Sequence, residues 1–452
     1  MVKIGLEIHG YISTKEKLFC RCKSEHGVKF FKPNTNICPI CTGQPGSKPL
    51  FPNKKAIDKA VEISLILNCR INSRLIWQRK HYDWPDLPKG YQNTLSGSYA
   101  TPVGENGKFL GIKIKEAHLE EDPAAWNPKT GEIDYNRSGS PLIEIVTEPD
   151  FKDSEQVAEW IKKLITTLGY IKAIDKNVGI KADVNISTTG ERVEIKNINS
   201  IKNIKTAINY EIKRQSSKEN VPKKQETRRF DEAKKITVKM REKEQAEDYR
   251  FISDPDLPVI NLEKSRIEKL KKQIPETPQE KLNKLIKKHK VDKKSAEALI
   301  KRLELVDFFE AVTKKISPKT AVPWITKELF SVLNYNKKEL EEVEINAEHF
   351  AELLSLIEDK TITELKAQEI LRQFIPKSFS PKSYAEKNLI ISSEEEIKKL
   401  AQKIIKEYPK AVEDFKSGKK ESLNFLIGQI MKISSKRADF RTAKKILEDE
   451  LK

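Results

Sequence analysis

The chain has 452 residues, 34% of them charged, with 85 lysines and arginines against 67 acids for a formal net charge of +18. That length exceeds one comfortable hydrophobic core, so two or three domains are expected, and the basic excess favours a polyanionic partner, most commonly nucleic acid. No apolar run approaches the ~18 residues of a membrane span, and Met1-Val2-Lys3 leads into a strand pattern, not the apolar core of a signal peptide; a cytoplasmic protein with no membrane attachment is expected.

Val2, Ile4, Leu6 and Ile8 alternate with Lys3, Gly5, Glu7 and His9. Period 2 sends the apolar set into a core and leaves Glu7 and His9 side by side on the other face. A carboxylate beside an imidazole suits a divalent cation, though an exposed strand face with Glu and His also suits plain solvent. Cys20-x-Cys22 and Cys38-x-x-Cys41 follow, with fifteen residues between Cys22 and Cys38. In a cytosolic chain that spacing favours a tetrahedral zinc knuckle, spanning 18–45, over buried thiols or disulfides. Gly27, Pro33, Pro39 and Gly43 supply its turns. Cys69, in the apolar segment Leu65 to Cys69, reads as packing.

The spacing predicts a helix over Lys54–Leu67, with Ile57, Ala60, Val61, Ser64 and Leu65 on one stripe. Pro85-Asp86-Leu87-Pro88-Lys89-Gly90-Tyr91-Gln92 reads as a rigid loop. A strand over 110–121 ends in His118-Leu119-Glu120-Glu121-Asp122. Three adjacent carboxylates repel unless a cation neutralises them or alternation points them apart, so only one or two can serve one metal. Asp134 to Gly139 offers Arg137 among small residues, and another strand pattern covers 141–147. Asp153-Ser154 caps a helix that runs to Gly169 through Val157, Ile161, Leu164, Ile165 and Leu168. Strand patterns at 181–187 and 193–199 flank the turn-like 188–192 and predict a hairpin. Asp183, Asn185, Glu194 and Lys196 would share its polar face. Ser200 opens a helix through Ile201, Ile204, Ile208 and Ile212. Strands in runs rather than regular βαβ units indicate α+β, and beyond about residue 270 long amphipathic helical patterns take over.

Taken together, these segments closely resemble one family, the B subunit of the glutamyl/aspartyl-tRNA amidotransferase. The resemblance rests on Gly5-Leu6-Glu7-Ile8-His9, the two Cys pairs with Asn34-Thr35-Asn36-Ile37 before Cys38, and Pro85 to Gln92. It continues with His118 to Asp122, Asp134-Tyr135-Asn136-Arg137-Ser138-Gly139, Glu144-Ile145-Val146-Thr147-Glu148-Pro149-Asp150 and Glu194-Ile195-Lys196-Asn197-Ile198-Asn199-Ser200. It closes with Gln225-Glu226-Thr227-Arg228, Asp248-Tyr249-Arg250-Phe251, Asp256-Leu257-Pro258 and Phe425 to Lys432, and so spans essentially the whole chain. The large insertion of the related archaeal E subunit is lacking, which favours the B type.

The resemblance implies an N-terminal cradle carrying catalysis over 1–272, a helical domain over 273–390 and a small helical tail over 391–452 that grips tRNA. It implies ATP- and magnesium-dependent activation of the side-chain carboxylate of Glu-tRNA(Gln), Asp-tRNA(Asn) or both. Ammonia would come from glutamine hydrolysed on a separate amidase-like A subunit, with a small C subunit clasping the two. Carried over by motif, Glu7, His9, Glu194, and Glu120 or Glu121, are the expected magnesium ligands. Asp183 and Lys196 are candidates for a second cation and for phosphate. Lys89 and Arg137 are expected to touch phosphate or the acceptor stem, and Lys432, Lys436, Arg437 and Arg441 the tRNA, in a stretch to Lys445 with a single acid, Asp439. Two departures matter. Many members continue Glu-Glu-Asp with Ala-Gly-Lys, where this chain has Pro123-Ala124-Ala125-Trp126, so no role of that lysine transfers. Gly10-Tyr11 after His9 is also atypical and affects local packing.

Two other functions compete. A plain nucleic-acid-binding protein with a zinc knuckle accounts for charge and cysteines, but not for three carboxylate-rich strand segments in a basic chain. A free-standing ATP-dependent amide ligase would need its own ammonia source, yet neither a Gly-Ser-Ser amidase signature nor a glutaminase-like cysteine is present.

Overall fold

The computed structural model describes residues 2–24, 32–174, 180–242, 250–386, 389–391, 393–419 and 421–451. Gly27 of the knuckle, and Asp248 and Tyr249 of the Asp248 to Phe251 motif, lie outside the described residues. The chain divides into two compact units, Met1–Thr277 and Pro278–Lys452.

A twelve-stranded sheet runs through the described residues of the first unit. Its main path uses β1 (Lys3–Tyr11), β2 (Gln78–His81), β3 (Tyr91–Thr94), β4 (Ile112–Glu121), β5 (Pro141–Thr147), β6 (Ile180–Ser187), β7 (Val193–Ile198), β8 (Glu226–Asp231), β9 (Ile236–Glu242) and β10 (Arg250–Ser253). In space the order is β9-β8-β7-β6-β1-β5-β4-β3-β2-β10, antiparallel throughout except for the parallel pair β7–β8. The strands at Gly104–Phe109 and Arg70–Ile71 continue from β4.

One face is buried under three helices, α1 (Lys54–Ile66), α2 (Ser154–Tyr170) and α3 (Ile201–Gln215). Each begins at a polar cap. The side chains of Asn53, Asp153 and Ser200 accept from Lys55 and Ala56, Gln156 and Asn203 backbone N–H respectively, satisfying donors the first turn leaves orphaned. Ile4, Leu6 and Ile8 of β1 are at most 1% exposed within this core, with Val184, Ile186, Val193 and Ile195 of the hairpin. Trp160 of α2 packs edge-on to Phe109 and Phe151, and its indole N–H donates to the Phe109 carbonyl at 2.9 Å. The anticipated hairpin forms, with Asn185 opposite Glu194. The strand expected over 110–121 begins at Ile112 instead. Leu110 and Gly111 both take positive φ (47° and 89°) and make the two-residue turn from Gly104–Phe109, the geometry that suits the right-handed twist of a hairpin.

The second unit is helical among its described residues and holds two apolar cores. One gathers Phe309, Ile325, Leu329, Phe350, Leu354 and Phe374; the other gathers Ile397, Ile404, Leu426, Ile430 and Leu447. They are tied together at Lys436, whose Nζ lies 2.6 Å from Glu369 Oε1 and whose carbonyl accepts from Thr363.

Candidate metal centres and catalytic face

The face of the sheet opposite the helices collects polar side chains because register multiplies alternation. Glu7 stands opposite Asp183 of β6, and His9 opposite Glu144 of β5. Glu144 is opposite His118 of β4, two residues before Glu120. Asn185 is opposite Glu194, and Glu194 opposite Thr227 of β8. Cross-strand partners share a face, so ligands from β1, β4, β5, β6 and β7 converge.

They converge into two groups rather than one. His9, Glu120 and Glu144 bring ligand atoms within 4.8 Å of one another, and so do Glu7, Asp183 and Glu194. In the first group His9 Nε2 lies 3.5 Å from Glu120 Oε1 and 3.4 Å from Glu144 Oε2, and His118 Nε2 is 3.1 Å from the same Glu144 oxygen. In the second, Lys196 Nζ reaches Glu194 at 2.7 Å and Asp183 at 2.8 Å. Asn185 donates to Glu7 Oε1 at 2.9 Å, and Thr227 donates to Glu194 Oε2 at 3.3 Å. The groups adjoin along β1, where alternate residues are about 7 Å apart.

Electrostatics follow from packing acids side by side on a largely buried sheet face. Burial pushes the Glu7 carboxyl up, reinforced by Glu144, Glu194 and Asp183 and opposed by Lys196. Burial would lower His9, but Glu144 and Glu120 outweigh it and raise the imidazole to about 9; His118 rises to about 10 against the same burial, through Glu144 and Glu116. Glu120 is raised by burial and by Glu144. Glu144, despite burial, is held well below the usual carboxylate range by the two imidazoles. Carboxylate oxygens in excess, joined by a single imidazole ligand, are a hard-cation donor set.

Alternation separates the three acids of the Glu120-Glu121-Asp122 run. Glu120 faces His9; Glu121 accepts from Lys89 Nζ at 2.5 Å and from the Asn93 N–H at 3.0 Å. Asp122 accepts from Tyr11 at 2.6 Å and pairs with Arg137 Nε at 3.0 Å. Lys89 is thereby engaged inside the protein, also 5.0 Å over the Tyr91 ring, and Arg137 donates to the Pro123 and Ala124 carbonyls. The Pro123-Ala124-Ala125-Trp126 departure is thus held by Arg137.

The four knuckle cysteines come together with every ligand sulfur within 4.8 Å of the others, and all are free thiols. Cys38 and Cys41 sulfurs lie 3.9 Å apart. A tetrahedron of zinc–sulfur bonds near 2.3 Å has sulfur edges of about 3.8 Å, so the residues present fit that ion. The Cys38 N–H donates to Cys41 Sγ at 3.2 Å. A hydrogen bond with Cys20 draws the Cys41 thiol down to about 4 and Cys20 up. Gly43, at φ 64°, packs so closely on the Pro85–Gln92 loop that a Cβ there would lie 2.2 Å from the Pro88 carbonyl oxygen.

In the tail, Lys432, Arg441 and Lys445 are exposed, whereas Lys436 pairs with Glu369 and Arg437 Nε donates to the Ser434 carbonyl at 3.3 Å. The sequence pattern assigns no role to Glu144, His118 or Thr227. The available signal is a lone acid, Glu144, in the apolar strand Pro141–Thr147, which antiparallel pairing beside β1 turns toward His9.

Carboxylates, imidazoles and lysines thus gather on one face of the sheet, in a chain of net charge +18. The sequence matches the GatB/GatE catalytic domain over residues 2–268 and the GatB domain over residues 307–451. It is 42% identical over 468 residues to a Methanocaldococcus jannaschii protein named as the B subunit of the aspartyl/glutamyl-tRNA(Asn/Gln) amidotransferase, covering 100% of this chain and 98% of that protein. Proteins of the same name from Methanobrevibacter smithii and Methanopyrus kandleri are 43% and 41% identical, covering 99% and 100% of this chain and 99% and 98% of theirs. The chain belongs to the B-subunit family of the tRNA amidotransferases, which are ligases. Among the described residues no helix is long and apolar enough to cross a membrane.

Proposed function

We propose that this chain activates and amidates the misacylated ends of Glu-tRNA(Gln) and Asp-tRNA(Asn), the substrates in its relatives' names. The observation that carries this reading is the pair of adjoining three-ligand groups on one sheet face. A carboxylate does not react with ammonia because its leaving group would be oxide. Attack of that carboxylate on the γ-phosphorus of ATP, with departure of ADP, makes the leaving group phosphate; ammonia then adds at the acyl carbon and phosphate departs. Magnesium, when bound, supplies charge neutralisation on the phosphates. His9, Glu120 and Glu144 would hold one ion, and Glu7, Asp183 and Glu194 another. Lys196, two residues from Glu194 and bridging two acids, is placed to meet phosphate oxygens as charge moves. Asn185 and Thr227 orient Glu7 and Glu194.

Ammonia comes from an amidase-like A subunit, with a small C subunit completing a cytoplasmic heterotrimer. Zinc sits in the four-cysteine knuckle and is structural, since four thiolates leave no open position. The helical tail, 391–452, grips tRNA. The test is Glu144→Gln assembled with the A and C subunits. Glutaminase activity should persist while ATP- and tRNA-dependent amide formation falls roughly 10²-fold or more, the usual loss for one electrostatic stabiliser. Equal loss of both activities, or of neither, refutes the assignment.

A further inference from the structure

Two segments a hundred residues apart are laced together through side-chain amides. Asn34, on the knuckle limb that leads to Cys38, donates from its backbone N–H to Asp134 Oδ1 at 3.0 Å and from Nδ2 to the Ile133 carbonyl at 2.9 Å. Its Oδ1 accepts from the Tyr135 N–H at 2.7 Å. Asn136 answers from the other side: its Oδ1 accepts from the Asn36 N–H at 2.8 Å, and its Nδ2 donates to the Lys32 carbonyl at 2.9 Å. A carboxamide holds donors and an acceptor in one plane, so each asparagine pairs with backbone much as a strand would. Asn34 does so at φ 60°, in the left-handed region that asparagine tolerates better than most residues. The buried Lys17 spans the same two segments, donating to the Asn36 and Tyr135 carbonyls at 3.2 and 3.4 Å.

The residue after Asn136 is Arg137, whose guanidinium forks. Its Nε lies 3.0 Å from Asp122 Oδ2 and 2.9 Å from the Pro123 carbonyl oxygen, and a terminal nitrogen donates to the Ala124 carbonyl at 2.6 Å. The same Asp122 oxygen accepts from the Tyr11 hydroxyl at 2.6 Å, while the Asp122 N–H donates to the Ser140 carbonyl at 2.8 Å. Tyr11 lies two residues beyond His9 on β1, and Asp122 two beyond Glu120 on β4. The clasp therefore ties together the chain just past the two residues whose side chains approach to 3.5 Å.

We propose that Arg137 is a positioning residue for the His9, Glu120 and Glu144 group, and that the Asn34–Asn136 lacing is the joint through which the knuckle holds Arg137 in place. The inference rests on the two-cation reading above and on no property of the cysteines. Arg137 acts through Asp122 and Tyr11: it fixes the ends of β1 and β4, and with them the spacing of His9 and Glu120.

The experiment is titration with Mn2+ of the chain assembled with its A and C subunits, free ion being followed by electron paramagnetic resonance, beside amidation and glutaminase kinetics. The variants are Asn34→Ala, Arg137→Gln and the two combined. In each single variant one Mn2+ site should weaken about tenfold or more, the usual loss when the outer support of a metal ligand goes. Amidation kcat should fall with it, while glutaminase activity and the KM for misacylated tRNA stay as in the parent. Because the joint acts through Arg137, the combined variant should lose no more than Arg137→Gln alone, whereas independent sites would add. Additive losses overturn the proposal. So does a lower melting temperature with Mn2+ affinity unchanged, the mark of a purely structural clasp. Should Arg137→Gln fail to fold, Asn34→Ala, on an exposed limb, decides alone: parent-like Mn2+ affinity and kcat overturn the proposal. A parent complex without a Mn2+ site refutes the two-cation reading and this proposal with it, a result distinct from variants that match a Mn2+-binding parent.

Discussion

The support beneath Glu194 can be tested away from the catalytic face. Glu211 of α3 is fully buried, and its carboxylate gathers Arg214 (3.0 and 2.9 Å), Arg228 Nε (3.1 Å), Gln215 Nε2 (3.0 Å) and the Thr237 hydroxyl. Glu226 of β8 shares both arginines, at 3.0 and 3.1 Å. This network locks α3 to β8 and β9, and the next residue of β8, Thr227, donates to Glu194 from the opposite face. Glu211→Gln keeps the volume and removes the charge. Breaking a buried ion network from one side costs about 3–5 kcal/mol; because Glu226 still faces both arginines, the low end, about 3 kcal/mol, is expected. With an m-value of about 3 kcal/mol/M, the urea midpoint should fall by about 1 M.

The pH dependence has a definite sign. Burial alone would raise the Glu211 carboxyl, but hydrogen bonds from Arg214, Thr237 and Gln215 hold it below the usual range. A carboxyl depressed in the folded state stabilises above its unfolded pKa, about 4.3, and that stability is lost as pH falls through the folded value. The gap between parent and Glu211→Gln should therefore be full at pH 7 and narrow below about pH 4.5. Tryptophan fluorescence follows the relevant transition, since Trp77, Trp84, Trp126 and Trp160 lie in the first unit and only Trp324 in the second. A gap under about 1 kcal/mol, or one equally wide at pH 7 and pH 3, refutes the reasoning.

Metal analysis of protein prepared without chelator should find about one zinc per chain, lost with a lower melting temperature in Cys38→Ser; a chain without the four cysteines that melts like the parent would contradict the structural role. Burial pushes the Cys69 thiol up to about 12, so at pH 8 it should resist a maleimide in the folded, zinc-loaded chain and react once the chain is unfolded in urea. Neutralising Lys432, Arg441 and Lys445 together should weaken tRNA binding and flatten its log–log salt dependence by about 0.9 for each phosphate no longer neutralised, whereas Lys436→Ala, which breaks the Glu369 pair, should act chiefly on stability.

Much of this is legible before the fold. Period 2 in β1 and in the hairpin assigns Glu7, His9, Asp183, Asn185, Glu194 and Lys196 to polar faces, and Asn or Asp or Ser before apolar periodicity marks the helix starts. The cysteine spacing announces the knuckle. What pattern alone does not give is register between distant strands. Only the pairing of β1 with β5 and β4 brings Glu144 and Glu120 to His9, in a group apart from Glu7, Asp183 and Glu194. Pattern also leaves Lys89 and Arg137 as candidates for phosphate or acceptor-stem contacts, because loops rich in proline and glycine do not reveal which acids will fold back on them. Glu121 and Asp122, the unused members of the acidic run, are those acids.

That division has a charge logic. Around Glu120 and Glu144 the carboxylates raise two imidazoles, so at His9 a proton and a divalent cation compete for one nitrogen. Around Glu7, Asp183 and Glu194 one lysine faces three carboxylates, and the shortfall appears as a Glu7 carboxyl pushed up. Like charges this close store repulsion that a rigid sheet cannot relieve by moving strands. A divalent cation held there, as proposed above, would relieve it directly, beside a Lys196 that already bridges two of the carboxylates. On the proposed reading, the rigidity of the sheet, buried under α1, α2 and α3, is what would turn a destabilising cluster of acids into a site for cation and phosphate together.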